Sequence, residues 1–292
     1  MKRLVRTVSA FIVLMILSSF TVFATESYIT LNGFAFHINE NGLAVIHSYD
    51  DRSANVKIPE KLMGAYVTEI DDYAFFNDTS IRSVSFENAS MLRRIGTNAF
   101  YGCTGLREIS IPSGVTEIGF GVFQNCTSIE TATLGDGITV LPSQTFYNCT
   151  SLKRIIVSDS LTSIGERSMA LCASLEEIEI PDSVTSINDS AFENVGSSLV
   201  VYCAKGSYAE SYCKQNEAIS YNYVREYELG DANLDGVFNV LDATVIQRYK
   251  AGMDEIHIFR GKNYADVNKD GEVTIRDATL IQMKLARVIT SF

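Results

Sequence analysis

Between residues 95 and 192 the apolar positions of this chain recur every 23 residues. Phe100, Phe123, Phe146, Met169 and Phe192 stand in one column. Cys103, Cys126, Cys149 and Cys172 stand in a second, and Ile95, Ile118, Leu141, Ile164 and Ile187 in a third. Each unit also carries Leu-x-x-Ile-x-Ile, as at Leu106, Ile109 and Ile111 and again at Leu175, Ile178 and Ile180. The alternation predicts a short strand with one face inward. Phe-x-x-Cys just before it fits a single helical turn that sends an aromatic ring and a thiol into the core. Val115 and Ile118, with their equivalents, predict a second short extended segment in each unit. An earlier unit holds Ile81, Val84 and Phe86, with Phe75 lying 25 residues before Phe100. A fixed period in this range predicts a solenoid, because one unit cannot bury its apolar face without its neighbours. The outward strand residues are then Ser83 and Ser85, Glu108 and Ser110, Thr131 and Thr133, Arg154 and Ile156, and Glu177 and Glu179.

After residue 225 the period is lost and a different duplication begins. Asp231, Asn233, Asp235 and Asp242 occupy places 1, 3, 5 and 12 of one loop, with Gly236 at place 6. Asp266, Asn268, Asp270 and Asp277, with Gly271, repeat the spacing 35 residues later. Such a loop wraps oxygen donors around one hard cation, and Gly permits the sharp turn. The expected ligands of one Ca²⁺ are the side chains of Asp231, Asn233, Asp235 and Asp242, the Val237 carbonyl, and Asn239 through a water. Those of the other are Asp266, Asn268, Asp270 and Asp277, the Glu272 carbonyl, and Thr274. An EF-hand would end each loop in Glu and place a helix on both sides. Here position 12 is Asp, and residues 225–230 are too short for a stable entering helix.

Two loop-then-helix halves of this kind resemble a type I dockerin, over residues 226–292. The resemblance implies a small all-α module holding two calcium ions and binding a cohesin domain of a scaffold protein. It also implies that loop positions 10 and 11 and the following helix touch the partner: Val240, Leu241, Arg248 and Tyr249 in one half, Ile275, Arg276, Met283 and Lys284 in the other. The 23-residue repeats resemble the BspA-like leucine-rich repeats of bacterial surface proteins. They imply a mixed α/β solenoid over residues 25–222, with an N-terminal cap at 25–58 and a C-terminal cap at 198–216. In that cap, a strand over residues 199–203 precedes a short helix from Ser207. This repeat family is associated with adhesion and protein binding in general.

The first 24 residues look like a signal peptide, with Lys2, Arg3 and Arg6 before a short apolar run and small residues Val22 and Ala24 at its end. Removing it would take the formal charge from −11 to −14. That acidity suits calcium and argues against nucleic acid as a partner, and no apolar run is long enough for membrane insertion. A column of thiols one strand spacing apart predicts packed, reduced cysteines. Cys203 and Cys213 are expected as packed thiols, with a bridge between them as the alternative. His37, His47 and His257 fall in no metal or triad spacing, and carboxylate pairs such as Asp71 and Asp72 read as solvated turns. The chain therefore reads as a non-enzyme: a secreted, extracellular recognition protein attached to a cellulosome-like scaffold of polysaccharide catabolism. Two alternatives stand beside this: a free adhesin with a calcium-stabilised C-terminal domain, and an unrecognised polysaccharide-degrading or peptidase component.

Overall fold

The computed structural model describes residues 28–51, 53–86, 89–216, 219–223, 229–232, 238–251, 264–270 and 272–292. The signal-like start and the expected ligands Asn233, Asp235 and Val237 lie outside the described residues. The repeats begin on a three-strand meander, β1 (Ile29–Leu31), β2 (Phe34–Ile38) and β3 (Ala44–Tyr49). Asn32 and Gly33 take φ of 51° and 82° between the first two strands, the left-handed pair that a two-residue hairpin turn requires.

From β3 the chain climbs as two parallel ladders. One runs through Ala65–Ile70, Arg94–Ile95 and Glu117–Ile118. Val140–Leu141, Ser163–Ile164 and Ser186–Ile187 form a further parallel ladder of the same short strands. The other side pairs Asn55–Lys57 with Ser83–Ser85. Its longer run joins Glu108–Ser110, Thr131–Thr133, Arg154–Ile156, Glu177–Glu179, Val200–Cys203 and Ser220–Tyr223. Thr131 pairs with Arg154 and Ala132 with Ile155, so the register equals the sequence period. The middle residue of each rung strand is buried: Val84, Ile109, Ala132, Ile155, Ile178 and Val201. Its two neighbours face outward as the alternation predicts.

Between the ladders each rung turns through a segment with two columns of left-handed residues. Asn98, Gly121, Gln144 and Arg167 form one, and Gly102, Asn125, Asn148, Leu171 and Asn194 the other. Gly adopts this conformation freely and Asn readily, whereas Gln, Arg and Leu do so at a steric cost. The arrangement lets alternate N–H groups reach the next rung: Phe100 N to Val122 O at 2.9 Å and Phe146 N to Ser168 O at 2.7 Å. The helical turn is kept in part, since Cys126 N–H still returns to Phe123 O at 3.2 Å. The turn thus forms a backbone ladder of its own.

The cysteine column has a chemical reason beyond size. Each thiol donates to the carbonyl of the aromatic in the rung before it: Cys103 to Phe75 at 3.1 Å, Cys126 to Phe100 at 3.0 Å, Cys149 to Phe123 and Cys172 to Phe146 at 3.1 Å. All six cysteines are free and buried, Cys203 and Cys213 included. Burial pushes the Cys172 and Cys213 thiols up to about 12.

The far end closes with strand Val200–Cys203 and α1 (Tyr208–Gln215), whose N-cap Ser207 accepts from Glu210 N–H. A last parallel strand, Ser220–Tyr223, extends the sheet beyond the expected cap. Glu210 binds this end together. It receives Lys214 Nζ at 2.6 Å, Tyr223 O–H at 2.7 Å and Gly206 N–H at 2.6 Å. The Lys214 bond first, then those from Tyr223 and Gly206, lower its carboxyl to about 2. An unfolded Glu titrates at about 4.3. The stabilisation is therefore complete above that value and is lost as pH falls towards 2. Thermal unfolding across this window should show an acid-dependent loss at the C-terminal end that Glu210→Gln lacks. An identical pH profile in the variant would remove Glu210 from this role.

Candidate calcium loops and partner-binding face

Each half of the C-terminal module is built from one residue pattern. α2 (Val240–Lys250) buries Asp242, Ala243 and Ile246, and α3 (Ile275–Leu285) buries Asp277, Ala278 and Ile281. These stripes are the same three positions 35 residues apart. The small Ala lets the helices approach, and the Ile side chains fill the seam. Ala232 and Val267, each at loop place 2, complete the shared core with Ala265 and Val273. Gly230 N–H reaches Tyr264 O at 2.8 Å, a backbone bond between the halves. Gly230 sits at φ +104° against the Phe238 and Phe292 rings, where a side chain would collide.

Both helices start on a capping box. Asn239 accepts from Leu241 N–H at 2.7 Å, and Asp242 accepts from Asn239 N–H at 2.8 Å. Thr274 and Asp277 repeat it, with Arg276 N–H to Thr274 Oγ1 at 3.2 Å and Thr274 N–H to Asp277 Oδ2 at 2.8 Å. Loop places 9 and 12 therefore shape the helix start as well as standing at the loop's rim.

The second loop is held by its own acidic side chains. Asp277 Oδ1 accepts from Val267 N–H at 3.1 Å and Asn268 N–H at 3.4 Å. Asp270 N–H donates to Asp266 Oδ1 at 3.2 Å and Asn268 Oδ1 at 2.8 Å, and Glu272 N–H to Asp270 Oδ1 at 3.0 Å. Asn268 Nδ2 is buried without a hydrogen-bond partner among the described residues. The donor set is three carboxylates and an amide, with the Glu272 carbonyl: hard oxygens that suit Ca²⁺. Among the described residues no three His, Cys, Asp or Glu side chains converge tightly enough to form a metal site by themselves. The loop is thus a frame of oxygens rather than a closed cage. In the first loop Asp231 and Asp242 are buried.

The expected partner residues divide. Val240 is 57% exposed, Leu241 55% and Ile275 50%, unusual values for large apolar side chains, and Arg248 and Arg276 are exposed beside them. Tyr249 packs partly against the module core. Lys284 Nζ lies 4.1 Å from the Phe292 ring centroid and 5.1 Å from that of Phe238, so it serves its own module through cation–π contacts. Met283 is half-buried.

One cluster had no signal in the sequence. His37 and His47 come together beside Asp71, with His47 Nδ1 2.7 Å from Asp71 Oδ2. Asp72 is an exposed turn residue, as expected, and it also takes Arg94 Nη2 at 2.8 Å and Thr97 N–H at 2.8 Å. The antiparallel pairing of β2 with β3 brings the two histidines together, and the parallel stacking of β3 on Ala65–Ile70 brings Asp71 beside His47.

Comparison with known proteins follows this division. The BspA type leucine rich repeat region matches residues 68–198 in six copies, and the type I dockerin domain matches residues 229–286. A leucine rich cell surface protein from Faecalibacterium prausnitzii A2-165 is 27% identical, over 61% of this chain and 54% of that one, with a TM-score of 0.51. The chain thus spans about half the length of that protein. The leucine rich repeat protein of T. pallidum is 26% identical over 60% of this chain and 71% of that one, with a TM-score of 0.40. No curated protein matches as a relative. Among the described residues no helix is long and apolar enough to cross a membrane. Leucine-rich repeats and dockerins are binding modules, and a type I dockerin binds calcium and docks on cohesin. Residues 68–198 of this chain are thus a BspA type leucine rich repeat region and residues 229–286 a type I dockerin domain.

Proposed function

We propose that this is a secreted, non-catalytic recognition protein that its dockerin plugs into a cohesin on a cellulosome-like scaffold, while the solenoid holds a protein or surface ligand. The observation that carries the docking step is the exposure of Val240, Leu241 and Ile275 at the first turns of α2 and α3. Large apolar groups held on rigid helix starts make good interface anchors, because little side-chain freedom is lost on binding. A calcium ion in each loop supplies positive charge that offsets the mutual repulsion of the loop carboxylates. Asp242 and Asp277 then tie each loop to the helix that carries the anchors. From Ser83 to Glu179 the outward row is Ser, Thr, Glu, Arg and one Ile, with Tyr202 the first ring beyond it, and a row so poor in aromatic rings suits a folded protein ligand better than a sugar.

Docking should be lopsided. The first half presents Val240 and Leu241, both apolar, and the second Ile275 and Arg276, one of them charged. The purely apolar pair is the stronger anchor, since a rim charge mainly changes the association rate. Val240→Asp with Leu241→Asp should weaken cohesin binding by about tenfold or more, a loss of about 1.4 kcal/mol or more. Ile275→Asp with Arg276→Asp should cost clearly less. Titration calorimetry of both double variants against the cognate cohesin, with calcium and after chelation, measures this. Equal, mild losses would mean that both orientations are used, and binding that ignores calcium would remove the docking reading.

A further inference from the structure

The chain has three histidines, and two of them meet. His37 lies on β2 and His47 on β3. Ala35 pairs with Ser48 and Phe36 with Ile46, which leaves His47 as the extra residue of a β-bulge. Bulges re-aim side chains. Here the bulge brings the two rings to a centroid separation of 4.7 Å with planes only 19° apart. Nearly coplanar rings at that separation meet edge to edge, and His37 Nδ1 and His47 Nε2 face each other in hydrogen-bond contact. On the far side His47 Nδ1 donates to Asp71 Oδ2 at 2.7 Å. Asp71 Oδ1 is itself held by Asp72 N–H at 2.8 Å. With its Nδ1–H given to Asp71, neutral His47 has a lone pair on Nε2. His37 Nδ1 brings the single proton between the rings. Two in-plane lone pairs thus aim at one point, and one proton occupies it.

We propose that this point is a metal seat, in which a borderline divalent cation of the zinc class replaces the shared proton. Neutral imidazole is the ligand such ions favour. The Asp71–His47 pair is the carboxylate–histidine arrangement that fixes the tautomer and raises the basicity of a metal-binding ring. With Zn–N about 2.0–2.1 Å, two nitrogens on a tetrahedral ion stand about 3.3 Å apart, a few tenths of an ångström wider than a hydrogen bond. His47 keeps 12% of its side chain exposed and His37 is partly exposed too, so rotation of the His37 ring opens that gap and admits water to the remaining positions. The surrounding charge favours a cation. Glu69, Asp71, Asp72 and Glu117 stand around one guanidinium, Arg94, which pairs with Glu69, with Asp71 at 3.9 Å, with Asp72 at 2.8 Å and with Glu117 at 3.2 Å, so acidic groups outnumber it. The protein supplies two ligands and water the others, so the ion is exchangeable. The shared proton passes through solvent to His37 Nε2, so both rings stay neutral and no net proton is lost.

Zinc titration calorimetry on the full chain, with calcium saturating the C-terminal loops, tests this. The expected result is one zinc per chain, with no net proton release as judged in buffers of different ionisation enthalpy. His37→Gln and His47→Gln should each weaken uptake at least tenfold, Asp71→Asn about 10–100-fold. His257→Gln should leave it unchanged. No uptake by the native chain, or uptake unaffected by His37→Gln or His47→Gln, overturns the proposal. A second readout needs no variant: zinc should protect His37 and His47 from acylation by diethyl pyrocarbonate, and unprotected rings in the presence of bound zinc overturn it equally.

Discussion

Phe123→Ala should lower the stability of the solenoid by about 3–5 kcal/mol, the range for a large aromatic removed from a packed core. The ring has no exposed surface and lies in a stack, 5.6 Å from Phe100 and 5.3 Å from Phe146, at interplanar angles of 17° and 14°. Truncation removes two ring contacts and leaves a cavity that neighbouring rungs cannot fill without breaking their ladders. The Phe123 carbonyl that accepts the Cys149 thiol is backbone and stays, so the loss isolates packing from hydrogen bonding. Glu108→Ala, on an outward position, should stay within about 0.5 kcal/mol. Denaturant unfolding of both variants gives the comparison, and equal losses would show that the inward and outward registers are wrongly assigned.

Asp277→Ala should disable the second calcium loop and its helix together. The carboxylate is fully buried and accepts from Val267, Asn268 and Thr274 N–H and from the Thr274 hydroxyl at 3.0 Å. Removal leaves the buried Val267 N–H without a partner, a cost of about 1–3 kcal/mol, and breaks three part-buried bonds besides. It also deletes the proposed position-12 ligand. Calorimetric calcium uptake should fall from two ions to one at most, and cohesin binding should fall with it. In the native chain, calcium at a hundredfold excess over its Kd contributes about 2.7 kcal/mol. Chelation should therefore loosen residues 226–292 and leave the repeats folded. Two ions retained by Asp277→Ala would remove this residue from the ligand set.

Much of the fold was legible because the repeats impose one rule many times. The columns of Phe100, Cys103 and Ile95 each mark an inward position, and a stacked rung leaves such a residue nowhere else to go. Ser207 announced its helix because a hydroxyl at an N-cap is a local device. What was illegible depends on contacts between rungs or on small local departures. The strand Ser220–Tyr223 carries an exposed, polar pattern and exists because Val200–Cys203 offers it an edge. The left-handed turn columns hide behind Gln144, Arg167 and Leu171, residues that do not advertise positive φ. The thiol bonds follow from where the previous Phe carbonyl points, which no spacing reveals. In the C-terminal module the 35-residue duplication could be read from spacing, and the buried stripes Asp242, Ala243, Ile246 and Asp277, Ala278, Ile281 follow it. The contact of Lys284 could not be read, since Phe292, eight residues on, reaches the ammonium only because the chain turns back after α3. The meeting of His37 and His47 rests on one bulged residue, and a register pattern with period two carries no sign of it.

The inter-rung hydrogen bonds have a mechanical consequence. Those of the two strand ladders and of the turn column run along the solenoid axis, from each rung to the next. A stretching load along that axis opens a ladder like a zipper, one rung at a time, whereas a load across it shears many bonds at once. Each released rung feeds 23 residues of slack into the chain. A solenoid pulled by its two ends therefore yields as a series of small, repeated extensions at modest force, and it takes up strain gradually where a sandwich loaded in shear would hold and then break.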